Sequence, residues 1–141
     1  MAEISTQAVI DAITLAIRAA YPDAIILDDE AAQGVVPGAF NVRLVSAGQQ
    51  KFVGPRYRRT PLFDVIYYSN NSGPECVAVA DNLSMELDAV TTPGGDLLHG
   101  SAVEWRVEDF VLHFIVQYTH YVRRDMPQTF METLIFQEGG Q

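Results

Sequence analysis

From Val103 to Val122 apolar side chains recur at every second position on both sides of one acidic dipeptide, Glu108-Asp109. Only extended backbone sends alternate residues to opposite faces, so the stretch predicts a β-hairpin turning at Glu108-Asp109. Its second arm, Phe110 to Val122, is the longest strand candidate in the chain. There Phe110, Leu112, Phe114, Val116 and Tyr118 form one face, and Val111, His113, Ile115, Gln117 and Thr119 the other. The first half of the arm is apolar on both sides, the pattern of a central, covered strand.

Two segments have the 3.6-residue period of helices that lie on such a sheet. In residues 5–21, Val9, Ala12, Ile13, Ala16, Ile17 and Ala20 share a face, Ser5 or Thr6 can cap the start, and Pro22 stops the end. In residues 75–89, introduced by Pro74, the seam is Cys76, Ala80, Leu83 and Leu87, continued by Val90.

Further strands are expected at Ala24–Asp28 and at Ala39–Val45, where Phe40, Val42 and Leu44 alternate with Asn41 and Arg43. Ser46–Gln50 opens a long connection to the turn at Gly54-Pro55. There GPRYRRTPLFDVIYY begins, with four aromatics and three arginines in fifteen residues. Pro61 lacks the N–H that a continuous ladder needs, so it divides the segment into a projecting basic half, Arg56–Thr60, and a packed aromatic half, Phe63–Tyr68. The fold expected is α+β: a single mainly antiparallel or mixed sheet packed by two helices, with a long projecting β-hairpin. Residues 1–125 are assigned to one domain and 126–141 to a partly flexible C-terminal arm, in which TFMETLIF is apolar enough to need a partner surface.

At 141 residues the chain can bury roughly two-thirds of its unfolded surface without staples. One cysteine, Cys76, leaves no intramolecular disulfide or zinc spacing and fits a reducing cytoplasm; on the helical seam it reads as a buried apolar group. No apolar run is long enough to span a membrane, and MAEISTQ lacks the pattern of a secretory leader, so no membrane partner is expected. Asp28-Asp29-Glu30 reads as a solvated acidic loop, and Thr91–Asp96 as a connector without the Lys-Ser/Thr of a phosphate loop. His113 and His120, seven apart on a strand, face opposite ways, while His99 is placed in a loop. No catalytic residue, metal ligand or cofactor follows, and no enzyme is expected.

The net charge of −9 argues against a general nucleic-acid binder, but it is unevenly spread. Lys51, Arg56, Arg58 and Arg59 bring four of nine cations into nine residues free of acids, leaving −13 on the remainder. A basic patch on one copy can meet an acidic surface on another in a head-to-tail contact. Lys51, Arg56, Tyr57, Arg58 and Arg59 are therefore the candidate interface residues. Arg56→Glu with Arg58→Glu is expected to spare folding and weaken assembly.

Through Arg56-Tyr57-x-Arg59, Phe63-Asp64-Val65-x-Tyr67, Glu75-Cys76-x-x-Val79-Ala80-x-x-Leu83, Leu97-Leu98-His99-Gly100, Val111-Leu112-His113-Phe114 and Tyr121-Val122-Arg123-Arg124, the chain resembles the tail terminator or tail completion proteins of phages. The likeness extends from about residue 8 to residue 134 and includes the order of elements. It implies a non-enzymatic virion protein of the tail, assembled in the host cytoplasm. Such proteins form a ring with other copies, commonly hexameric, on the last ring of tail tube protein. They stop tube growth and receive the head or neck connector protein, and DNA passes through the lumen without specific binding. A head–neck adaptor that does not stop tube growth is the alternative.

Overall fold

The computed structural model describes residues 4–27 and 36–124. Asp28-Asp29-Glu30, the loop residues up to Val35 and the 126–141 arm lie outside the described residues. In chain order the elements are α1 (Thr6–Ala20), β1 (Ile26–Leu27), β2 (Phe40–Ser46), β3 (Gln49–Lys51), β4 (Arg56–Arg59), β5 (Leu62–Tyr68), α2 (Gly73–Glu86), β6 (Ala89–Thr91), β7 (Leu97–Glu108), β8 (Val111–Tyr118) and β9 (His120–Arg123).

Six strands form a mixed sheet in the order β1-β2-β5-β8-β7-β6, with β1 parallel to β2 and the other neighbours antiparallel. This is the expected α+β class. Both helices start as their sequences direct. The Ser5 hydroxyl accepts from the Ala8 N–H at 3.0 Å and the Ser72 hydroxyl from the Glu75 N–H at 3.2 Å, caps worth about 1 kcal/mol each.

One face of the sheet and the two helices enclose the core. Val9, Ala12, Ile13 and Ile17 of α1 and Cys76, Val79, Ala80 and Leu83 of α2 are buried against Phe40, Phe63, Val65, Leu112, Phe114, Val116 and Tyr118. Each fully buried large side chain contributes about 1.5–3 kcal/mol of transfer free energy. The Phe40 ring stands between Tyr21 and Tyr67, with centroids 5.2 and 4.8 Å away. Thus the aromatic half of the Pro61-divided segment is anchored in the core. Polar groups entering this interior are paired. The Tyr67 hydroxyl donates to Glu75 Oε2 at 2.8 Å and the Tyr118 hydroxyl to the Leu87 carbonyl at 2.6 Å. Burial, reinforced by Glu75 and Asp88 respectively, pushes both phenols well above their ordinary range.

Several local expectations are corrected. The hairpin between β7 and β8 turns at Asp109-Phe110, because Glu108 pairs with Val111; both turn residues have positive φ, 50° and 63°, as a two-residue hairpin turn demands. Phe110 therefore leaves the strand face and is half exposed, while its carbonyl accepts from the Ser69 hydroxyl at 2.6 Å. α2 stops at Glu86, so Val90 belongs to β6 rather than to a helical seam. His99 lies in β7 opposite Ala89, not in a loop. On β2 the faces alternate as expected, with Phe40, Val42 and Leu44 opposite Tyr67, Val65 and Phe63, but burial does not follow them throughout: Asn41 is buried and Leu44 is exposed. Gln49–Lys51, read as connection, is a strand, and the arm expected to run unbroken to Val122 divides at Thr119 into β8 and β9.

Candidate functional site

Strands β3, β4 and β9 form a second, wholly antiparallel sheet in that order. It continues three strands of the large sheet, since β2 leads into β3, β4 into β5 and β8 into β9, and all three break at one level. At that level the Thr60 N–H donates to the Gly48 carbonyl at 3.0 Å and the Tyr118 N–H to the Pro61 carbonyl at 3.2 Å. A Cβ on Gly48 would stand 2.9 Å from Thr60 Oγ1, so a side chain at this joint would force Thr60 to shift. Pro61 marks the break, as its missing N–H requires.

All five candidate interface residues lie in this extension. Lys51 and Arg56 are exposed, and Tyr57, Arg58 and Arg59 are half buried. The register sets Lys51 opposite Tyr57, and it sets Arg56, Tyr57, Arg58 and Arg59 opposite Arg123, Val122, Tyr121 and His120. Arg58 Nη2 donates to Gln50 Oε1, and Arg59 Nε donates to Gln49 Oε1 at 2.8 Å. Both partners are neutral amides, which orient the guanidinium groups without cancelling their charge.

Strand β9 brings what the local reading missed. Arg123 is placed across from Arg56, and the backbone N–H of Arg124 donates to the Pro55 carbonyl at 2.8 Å. Lys51, Arg56, Arg58, Arg59, Arg123 and Arg124 make six of the nine cations of the chain, while all 18 acids lie outside residues 49–59 and 120–124. Alternation through Tyr121-Val122-Arg123 was the available signal, but pairing with residues more than sixty positions earlier cannot be read from spacing.

The two faces of the extension differ. On one, Gln50, Phe52, Arg56, Arg58, Tyr121 and Arg123 come together, and the Phe52 and Tyr121 rings, each 51% exposed, meet with centroids 5.1 Å apart. The other carries Gln49, Tyr57, Arg59 and Val122, which with Arg123 and Arg124 line a shallow hollow of about 280 Å³. His120 on this side is buried; burial first, and then the Arg59 guanidinium, hold its imidazole below the ordinary value of 6.5. The tip is a turn in which the Arg56 N–H donates to the Val53 carbonyl at 3.1 Å and Gly54 takes φ +58°. Val53 is 63% exposed. An exposed aromatic pair ringed by guanidinium groups suits a protein surface that offers carboxylates around an apolar centre.

His113 Nδ1 lies 3.0 Å from Asp64 Oδ2 on the sheet face away from the helices. By register Ile66 stands opposite His113 and Ile115 opposite Asp64, so the pair is set among aliphatic side chains as a cross-strand contact. Cys76 is buried beneath the opposite face. Among the described residues no three of His, Cys, Asp and Glu gather as a cation site, and no helix is long and apolar enough to cross a membrane.

A family model described as phage tail terminator protein matches residues 8–129, which takes in every strand of both sheets, all of α2 and all but the first two residues of α1. No curated protein matches the chain.

Proposed function

The chain belongs to the phage tail terminator protein family, and from that premise we propose that it assembles with further copies into a ring, hexameric in the simplest case, on the last ring of tail tube protein. As a member of the family it is a structural protein of the bacteriophage tail, and its partners include other tail components. In the proposed role the ring ends tube polymerisation and presents the surface to which the head or neck connector attaches. Assembly takes place in the host cytoplasm. DNA passes through the lumen without specific binding, its phosphates repelled by the acidic surplus of the chain. The protein acts by shape and charge, without catalysis or cofactor.

The observation that carries this reading is the family match over residues 8–129, supported by the collection of six cations on one acid-free extension. Lys51, Arg56, Tyr57, Arg58 and Arg59 are proposed as its contact residues toward a neighbouring copy or the tube. Deleting the gene from the parent phage is expected to give headless tails of uncontrolled length, seen by electron microscopy. Tails of normal length that lack heads would instead favour a head–neck adaptor, and normal tails joined to heads would end both readings.

A further inference from the structure

The basic extension needs a complement, and the same molecule carries one. Between Arg59 and Arg106 the sequence has no lysine or arginine, and α2 lies within that stretch. The helix buries Cys76, Val79, Ala80 and Leu83; its outward stripe is Pro74, Val77, Ala78, Asp81 and Met85. Met85 is 78% exposed and Val77 44%. An amphipathic helix normally turns polar side chains outward, and here these two give the outward stripe an apolar centre.

Charge at the end of this helix is also unbalanced. Its C-terminus already bears the negative pole of the backbone dipole, yet Glu86 and Asp88 are exposed there and the last turn has no basic residue. Cations placed against this end would relieve both the carboxylate repulsion and the dipole. The tip of the extension offers them around an apolar centre: Arg56, Arg58 and Arg123 on the face of Phe52 and Tyr121, with Val53 in the turn and Lys51 exposed on the opposite face. The complement has the same make-up with opposite charge: Asp81 and Glu86 on α2 and Asp88 just past its end, with Val77 and Met85 exposed on the helix.

We infer that the outer face of α2 is the acceptor for the basic extension of an adjacent copy, so that each subunit gives its extension to one neighbour and its α2 face to the other. The two surfaces lie on different elements: α2 packs over β7 and β8 of the large sheet, and the extension is the separate sheet β3-β4-β9. Donor and acceptor patches that differ make a heterologous contact, the kind that closes into a ring when its rotation allows. The inference rests on the ring reading above and names the surface that reading leaves open.

Charge reversal separates the two. Lys51→Glu with Arg56→Glu alters exposed donor residues, and Asp81→Lys with Glu86→Lys alters exposed acceptor residues. Each double variant alone should self-associate about tenfold or more weakly than the unaltered chain, by native mass spectrometry of the full chain with and without tail tubes. Mixed in equal amounts, the two should recover association, because every contact then joins opposite charges in one sense or the other. As a second measurement, Val53→Cys with Met85→Cys should yield disulfide-linked oligomers on oxidation. If the unaltered chain forms rings but mixing restores nothing and no cross-link forms, α2 is not the acceptor and the ring reading survives. If the unaltered chain stays monomeric even on tail tubes, ring and acceptor fall together.

Discussion

Strands β2, β5 and β8 and their continuations β3, β4 and β9 are the same three stretches of chain in two chemical settings. Above the joint at Gly48 and Pro61, Phe40, Phe63, Val65, Phe114 and Val116 are fully buried beneath two helices. Below it the ladder continues with Gln49, Gln50, Arg56, Arg58 and Arg123, and among the described residues the core cluster beneath the helices takes in none from the second sheet. The difference shows that strand pairing carries the chain past the core beneath the helices into a sheet where, among the described residues, only His120 and Val122 are buried. Stability is concentrated above the joint, and the residues below it are available for recognition.

The contrast can be broken first at its strongest point. Phe63→Ala should cost about 3–5 kcal/mol in urea unfolding, since a fully buried ring is replaced by a cavity. A loss below about 1 kcal/mol would mean that the upper half does not hold the fold. The joint comes next. Gly48→Ala sets a Cβ against Thr60 Oγ1 and should cost on the order of 1 kcal/mol, most of it recovered by adding Thr60→Ala. Absence of that rescue would show that the close approach is not the constraint.

A smaller, pH-dependent effect is expected at His120. Its folded-state value lies below 6.5, so as pH falls past 6.5 the unfolded chain takes up the proton first. The stability associated with the neutral imidazole is complete above that pH and is lost as pH falls toward the folded value. His120→Gln should flatten the dependence of Tm between about pH 7 and about pH 5.5, and an unchanged slope would assign the effect elsewhere. The smallest change in stability, about 0.5 kcal/mol or less, is expected from Lys51→Glu with Arg56→Glu, the pair that should most affect assembly. Arg58 is less suited to this test than its sequence suggested, because it is half buried and bonded to Gln50.

Legibility in the sequence followed the range of the interactions. Caps, breakers and periodicity are local, and they placed α1, α2, the Pro61 break and the long hairpin close to where they lie. The one-residue error at the β7–β8 turn arose because Phe110 is a poor chemical fit for positive φ, so Asp109 alone looked like a turn residue. Strand β3 carries little β-propensity of its own in Gln49, Gln50 and Lys51 and owes its state to its partner β4, and β6, though it holds Val90 and Thr91, is only three residues long. The candidate site was half visible: four cations are adjacent in the chain, but Arg123 and Arg124 join them only through the pairing of β9 with β4. The acceptor face on α2 escaped notice because Val77 and Met85 look like ordinary helix residues until the buried side of the helix is known.

Where the sheets end also matters. The flanking strands of the large sheet, β1 and β6, are two and three residues long, and those of the small sheet, β3 and β9, are three and four, with Lys51 and Arg123 among them. Those outermost strands give an incoming strand little backbone to hydrogen-bond, but β6 covers only Leu97–His99 of β7 and β1 only Phe40-Asn41 of β2, so among the described residues no strand pairs on the outer side of Gly100–Glu108 or of Val42–Ser46. Strand addition is thus discouraged at the outermost strands and left open along those two stretches.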